Sequence, residues 1–290
     1  MARNNSSRSG GNSRPEPADA PASSVAQVED TPPVGSLNFV TPTEFVELPT
    51  KGRFYPEGHP LKDQEVVEIK FMTAKEEDML TSPALLKKGL AIDRVLQNLF
   101  VDKRIKIADL YLGDKNAITL ASRISGYGPE YNAKVQCPAC NQSVRHSFDL
   151  SLYEFKPEPD YEALGVVLND DGTLEFTLPR SKVKVKCRLM TSRDERYLLE
   201  SGQKRKKHGL GEAGLTDMMK RAISAVNGKS DQSVINNFVE NMPAFDSRYF
   251  RRVYQQCTPN VQNEQDFECR SCGHEQEMEV PYGVEFFWPE

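Results

Sequence analysis

Four cysteines are the residues of this chain best suited to chemistry. They stand in two pairs, Cys137–Pro–Ala–Cys140 and Cys269–Arg–Ser–Cys272, with the thiols of each pair three positions apart. A tight turn between short strands can aim both sulfurs of such a pair at one point. Two such turns supply four thiolates, the tetrahedral ligand set of structural zinc. Pro138 follows the first cysteine and Gly273 follows the last, where a left-handed residue is often needed. Residues 141–268 lie between the pairs, whereas the halves of a zinc ribbon usually lie ~15–20 residues apart. The spacing therefore predicts a split ribbon in which Cys137, Cys140, Cys269 and Cys272 hold Zn2+ and tie the middle of the chain to its C-terminal part. Four sulfur ligands leave no position for water or substrate, so such a site is a clasp and not a catalytic centre. An iron–sulfur cluster or a redox dithiol could use the same residues. A thioredoxin-like motif, however, needs one pair at a helix start, and neither pair has that context.

The other reactive side chains have plainer readings. Cys187 falls on the apolar face of an alternating segment, and Cys257 precedes Thr258–Pro259 at a helix end, so both read as packing residues. His146 and His274 lie near the cysteine pairs, where a solvated histidine is favoured over a group that supports the ligands. His59 and His208 sit in loop-like text with no constellation around them. No H-E-x-x-H, Gly-rich phosphate loop or G-x-S-x-G elbow occurs, so no enzyme is expected. Glu76, Glu77 and Asp78 follow Thr73 as favourable charges at a helix start. Lys204–Arg205–Lys206–Lys207, between Gly202 and Gly209, reads as a flexible loop tip. With Lys182, Lys184, Lys186 and Arg188 it could form a phosphate-binding patch, but a solvated surface is favoured. The net charge of −5 and pI near 5.6 argue against nucleic acid as a partner.

The elements that must position the cysteines are those of an α+β chain. Residues 1–36 hold no Leu, Ile or aromatic residue and five prolines, and read as a disordered tail, with order beginning near Leu37. Residues 37–130 form an N-terminal α+β region. It comprises a loop-like stretch from Phe39 to Gly58, a strand over 66–71, a capping box at Thr73 and Glu76, and Ser82–Pro83 opening further helical text broken at Gly89. A helix follows from about Asp114 to Ser125. Residues 131–150 carry the first knuckle between short strands. Residues 151–260 are an inserted region, first a β-hairpin stretch turning at Asp171–Gly172 and then helices, including one opened by a Ser192–x–x–Glu195 capping box and one over Met218–Val226. Residues 261–290 carry the second knuckle and the aromatic Phe286–Phe287–Trp288 end. The apolar runs are far shorter than the ~18 residues of a membrane span, and no hydrophobic stretch follows the basic residues near Met1, so a reduced cytoplasmic setting is expected.

Several blocks resemble a known family. They are Leu48–Pro–Thr–Lys–Gly–Arg–Phe–Tyr–Pro–Glu–Gly–His–Pro60, Met72–Thr–Ala–Lys–Glu–Glu–Asp78 and the Leu110–Gly128 stretch with Leu–Gly–Asp–Lys–Asn in it. To these add Tyr131 with the first cysteine pair, Met242–Pro–Ala–Phe–Asp–Ser–Arg248, the Phe267–Val280 block around the second pair, and Phe286–Phe287–Trp288–Pro289. Over roughly residues 37–290 the chain resembles the T-even (T4-like) baseplate hub subunits of contractile-tailed phages. The resemblance implies a virion protein of the tail baseplate, or a tail-assembly protein acting in the host cytoplasm. Its partners would be other hub proteins and the tape-measure protein. A transient assembly chaperone absent from the virion shares this signature, and a zinc-ribbon nucleic-acid binder is the competing class.

Overall fold

The computed structural model describes residues 41–290 except 88, 210–213, 283 and 288–290. The tail over 1–36, the start of order near Leu37 and the Trp288–Pro289 ending lie outside the described residues. The first strands, β1 (Thr43–Glu47) and β2 (Val66–Lys70), pair antiparallel with Val46 opposite Val67, and both of these side chains are buried. Helix α1 (Ala74–Thr81) opens on the expected capping box, in which the Thr73 backbone N–H donates to Glu76 Oε2 at 3.0 Å. Helix α2 (Pro83–Lys87) begins at its proline. Helix α3 (Ala91–Leu99) buries Ala91, Val95, Leu96 and Leu99, the spacing of one helical face. Helix α4 (Leu112–Tyr127) starts where Leu–Gly–Asp begins and stops at Gly128.

Two strands, β3 (Glu130–Gln136) and β4 (Ser143–Asp149), form a hairpin around the first cysteine pair. Next come β5 (Glu154–Phe155), β6 (Val166–Leu168), β7 (Leu174–Thr177) and β8 (Lys184–Cys187), then helices α5 (Ser192–Lys207) and α6 (Gly214–Ala222). Strand β9 (Ile223–Val226) and helices α7 (Gln232–Glu240) and α8 (Ala244–Cys257) follow. Strand β10 (Val261–Gln262) pairs antiparallel with β5, so the chain returns close to where it left. The hairpin of β11 (Glu264–Glu268) and β12 (Glu275–Glu279) carries the second cysteine pair.

The apolar residues separate into two cores. One gathers β1, β2, α3, α4, the β3–β4 hairpin, Phe267, Phe286 and Phe287, and takes in Cys137 and Cys269. The other lies between the antiparallel sheet β6–β7–β8–β9 and helices α6, α7 and α8, with Cys187 and Cys257 fully buried in it. Phe54 comes from the segment after β1 yet packs in the second core, and Tyr111 packs against both. Burial pushes the Cys257 thiol up to about 11 and the Cys187 thiol higher still, which suits inert packing residues.

Four local expectations are corrected. The stretch from Phe39 to Gly58 is not all loop, because β1 lies within it. With Pro42 and Pro49 close by, a five-residue strand is too short to announce its period. The helix over Met218–Val226 ends at Ala222, and Ile223–Val226 joins the sheet beside β8, with a register shift between Lys186 and Cys187. The Ile–Ser–Ala–Val segment after a helix carries no strand period of its own, and pairing with β8 decides it. The capping box of α5 is formed by Thr191 and Asp194, one residue before the Ser192–Glu195 pair. Lys204–Lys207 is the last turn of α5 and not a loop tip; four cations there face the negative end of the helix dipole.

Candidate metal centre

Each cysteine pair sits at the tip of its hairpin, and the two tips are built alike. In the first, the Cys137 N–H donates to the Gln142 carbonyl at 2.9 Å and the Asn141 N–H to the Cys137 carbonyl at 2.8 Å. In the second, the Cys269 N–H donates to the His274 carbonyl at 2.8 Å and the Gly273 N–H to the Cys269 carbonyl at 2.8 Å. The residue after the last cysteine of each turn is left-handed, with φ of 61° at Asn141 and 70° at Gly273. Glycine and asparagine are the residues that adopt this conformation most readily. Gly273 is legible as such a position from the sequence; Asn141, its counterpart, is singled out only by the fold.

The structure brings all four predicted cysteines together. Their Sγ atoms lie within 4.8 Å of one another, with Cys137 to Cys272 and Cys140 to Cys269 each at 3.8 Å. These distances are far beyond the ~2.05 Å of a disulfide. They match the edge, about 3.8 Å, of a tetrahedron whose metal–sulfur bonds are ~2.3 Å. Four thiols so arranged could hold one metal ion. Cys137 and Cys269 are buried, Cys140 is half-buried and Cys272 is exposed, so the cluster has one side on the surface. Burial opposes ionisation of Cys269, but the N–H groups of Ser271 and Cys272 point at its sulfur and hold the thiol down to about 6. Cys272 receives the N–H of His274, yet the crowding sulfurs of Cys140, Cys269 and Cys137 push it up to about 12.

Neither nearby histidine belongs to this cluster. The His146 ring packs edge-on against Phe148 and Phe267, and the His274 Nε2 lies 3.4 Å from Gln276 Oε1. The two hairpins are joined below the sulfurs by Gln265. Its side-chain oxygen accepts the Asp149 N–H at 3.0 Å, and its amide nitrogen donates to the Asp149 carbonyl at 2.6 Å. His59 stacks on Tyr55 with ring centres 4.3 Å apart, and His208 caps the C-terminus of α5.

Buried charges hold the scaffold around this centre, and sequence reasoning did not single them out. Asp114 is wholly buried. Its Oδ1 accepts the Thr50 N–H at 3.0 Å, and its Oδ2 accepts the hydroxyls of Thr50 and Tyr55, both at 2.7 Å. Burial pushes this carboxyl above the ordinary carboxylate range despite those bonds. Gly113 beside it lies so close to the backbone of Pro259 that a Cβ would stand 2.1 Å from the Pro259 carbonyl oxygen. Arg123 is also fully buried and donates to the carbonyls of Phe286 at 2.6 Å, Gly128 at 2.6 Å and Glu130 at 2.9 Å. Asp246 accepts the N–H groups of Arg180 and Ser181, both at 2.8 Å, and pins the turn before β8 to the start of α8.

The basic strand face is neutralised where it stands. Lys184 pairs with Glu175, Lys186 with Asp171 at 2.7 Å, and Arg188 forms a two-pronged pair with Asp194 at 2.7 and 2.9 Å. Lys182 lies outside the strand, in a turn. Among the described residues no helix is long and apolar enough to cross a membrane.

The blocks that resembled a phage family thus converge. Thr50 and Tyr55 meet Asp114, Arg123 meets Phe286, and the two cysteine pairs meet each other. No curated protein and no solved structure matches the chain. A family model described as T4 bacteriophage base plate protein matches residues 43–288, which span both cores and both hairpins. The chain belongs to the T4 bacteriophage base plate protein family.

Proposed function

We propose that this baseplate protein is a structural or assembly component of the baseplate hub, working by protein–protein binding around a four-cysteine zinc clasp. The observation that carries the reading is the closed sulfur set. Four thiols from two hairpins far apart in sequence converge within 4.8 Å of one another, two of the distances matching a tetrahedral edge, and a thiolate-only site favours zinc and leaves no open position for substrate. Bound zinc would join the β3–β4 hairpin to the β11–β12 hairpin through Cys137, Cys140, Cys269 and Cys272. Its role is mechanical, fixing the C-terminal part of the chain on the first core, and the protein performs no catalysis. The partners are other hub proteins and the tape-measure protein. The protein acts in the host cytoplasm during tail assembly and resides in the tail of the virion. The ion pairs on and beside β8 count against the nucleic-acid reading, because Lys184, Lys186 and Arg188 of its basic strand face are already partnered. Mass spectrometry of purified virions tests the placement. A few copies per particle would mark a hub part, and absence from the particle would mark a transient assembly factor.

A further inference from the structure

Helix α3, the start of α5 and the segment Lys106–Asp109 enclose a cleft of about 390 Å³. Four cations from these three places line it: Arg94, Lys106, Arg193 and Arg196. Its lining holds two carboxylates against them. Asp109 pairs with Arg193 at 2.5 Å and Asp93 with Arg196 at 2.6 Å, but Asp93 is shared with Lys115 at 2.9 Å. Arg196 Nε is buried without a partner. The exposed Arg94 guanidinium has no hydrogen bond or ion pair among the described residues, and Lys106 Nζ donates to the Lys103 carbonyl at 3.0 Å. Gln97 fixes the shape of the cleft, since its side chain donates to the Ile105 carbonyl and accepts the Ile107 N–H, both at 2.9 Å. Arginine-rich clefts of this kind suit carboxylates, whose two oxygens match the planar guanidinium fork.

The same chain carries the complementary surface. In the β11–β12 hairpin Glu264 stands opposite Glu279, Asp266 opposite Glu277 and Glu268 opposite Glu275. All six side chains are exposed on one face, while Phe267 is buried on the other. None of the six has a hydrogen bond or ion pair among the described residues, so their own copy does not neutralise them. Like charges directly opposite each other on paired strands are destabilising, and this face therefore gains from a cationic surface laid against it. We propose that the carboxylate face of the β11–β12 hairpin of one copy docks into the cationic cleft of a second copy. The two surfaces are unlike, so the contact is head to tail and each added copy presents a fresh cleft and a fresh hairpin. Such a contact builds a closed ring or an open chain. Neither zinc nor the hub placement enters it, so each can fail without the other.

Sedimentation velocity of the full-length protein over a wide range of concentration is the test. It is run at about 50 and about 500 mM salt, where the screening lengths differ roughly threefold. The wild type should associate as concentration rises at low salt and stay monomeric at high salt. Arg94→Glu, and separately Asp266→Lys with Glu277→Lys, should each weaken association by at least about tenfold, because like charges then meet across the contact. Mixing these two variants should restore association, since the intact hairpin of one meets the intact cleft of the other. All three positions are exposed, so far-UV circular dichroism should match the wild type, and Arg94→Gln repeats the test with a milder change. Replacing Lys204 to Lys207 with Ser should leave association unaltered. A wild type that stays monomeric at low salt overturns the proposal, as does association that survives high salt or is indifferent to both reversals. Loss of association in the Lys204 to Lys207 variant moves the contact to the end of α5 and overturns the cleft assignment.

Discussion

The Tyr55 hydroxyl donates to Asp114 Oδ2 at 2.7 Å inside the protein, joining a Gly/Pro-rich segment near the start of the fold to the first turn of α4. Thr50 adds its N–H and hydroxyl to the same carboxylate. The segment between β1 and β2 carries little regular structure, so this carboxylate is what organises it. Removing the carboxylate strands three donors in a dry site. Asp114→Ala is expected to lower the unfolding free energy by about 3 kcal/mol, from lost hydrogen bonds and unpaired donors. Urea denaturation measures it, and a loss below about 1 kcal/mol would mean that the segment repacks without its anchor.

Metal content comes next. The purified protein should carry about one zinc per chain, because four thiolates complete a tetrahedral site. Because the affinity of such a site is itself folding free energy, Cys269→Ser should be insoluble or readily proteolysed, and chelation should lower the melting temperature. Elemental analysis that finds iron, or no metal after gentle purification, contradicts the zinc clasp.

A third outcome concerns acid. Burial raises the Asp194 carboxyl, but the Arg188 guanidinium and the Thr191 N–H outweigh it and hold the group below its usual value of 3.8. A carboxylate depressed in the folded state stabilises above its unfolded pKa, and that stabilisation is lost as pH falls through the folded value. Arg188→Met should therefore be destabilising at neutral pH, and the gap from wild type should close as pH drops below about 4. A gap constant with pH would mean that Arg188 acts by packing alone.

Salt dependence separates the binding readings. Replacing Lys204 to Lys207 with Ser should leave capture of the other hub proteins intact. Gel shifts with duplex DNA should be weak in both forms at physiological salt. Tight DNA binding with a steep salt slope, lost in the variant, would instead mark the end of α5 as a phosphate contact.

The N-terminal 36 residues hold no Leu, Ile or aromatic residue and so no apolar cluster to bury. Their deletion should move the melting temperature by less than ~2 °C, since a ΔΔG of 1 kcal/mol shifts a large domain by roughly that much. Calorimetry showing a larger drop would mean that the tail packs on the body.

What the sequence determined by itself was local and covalent. The capping box at Thr73, the proline that opens α2, the β2 alternation and the two cysteine pairs depend on residues a few positions apart, and each is legible in a short window. The spacing inside each pair also implied its turn, down to a left-handed Gly273. Tertiary structure alone decided which elements meet. Whether Ile223–Val226 continues a helix or enters a sheet depends on hydrogen bonds offered by β8, from residues distant along the chain. The strand Thr43–Glu47 exists because β2 pairs with it. Lys184, Lys186 and Arg188 look like a free basic face until folding sets Glu175, Asp171 and Asp194 beside them. Asp114, Arg123 and Asp246 show no sign of their burial in the sequence, since burial is a property of the packed chain and leaves no mark on the residues around them. The distance between the two cysteine pairs is likewise set by the fold: β5 and β10 pair antiparallel and bring the chain back, so that thiols more than a hundred residues apart stand 3.8 Å from one another.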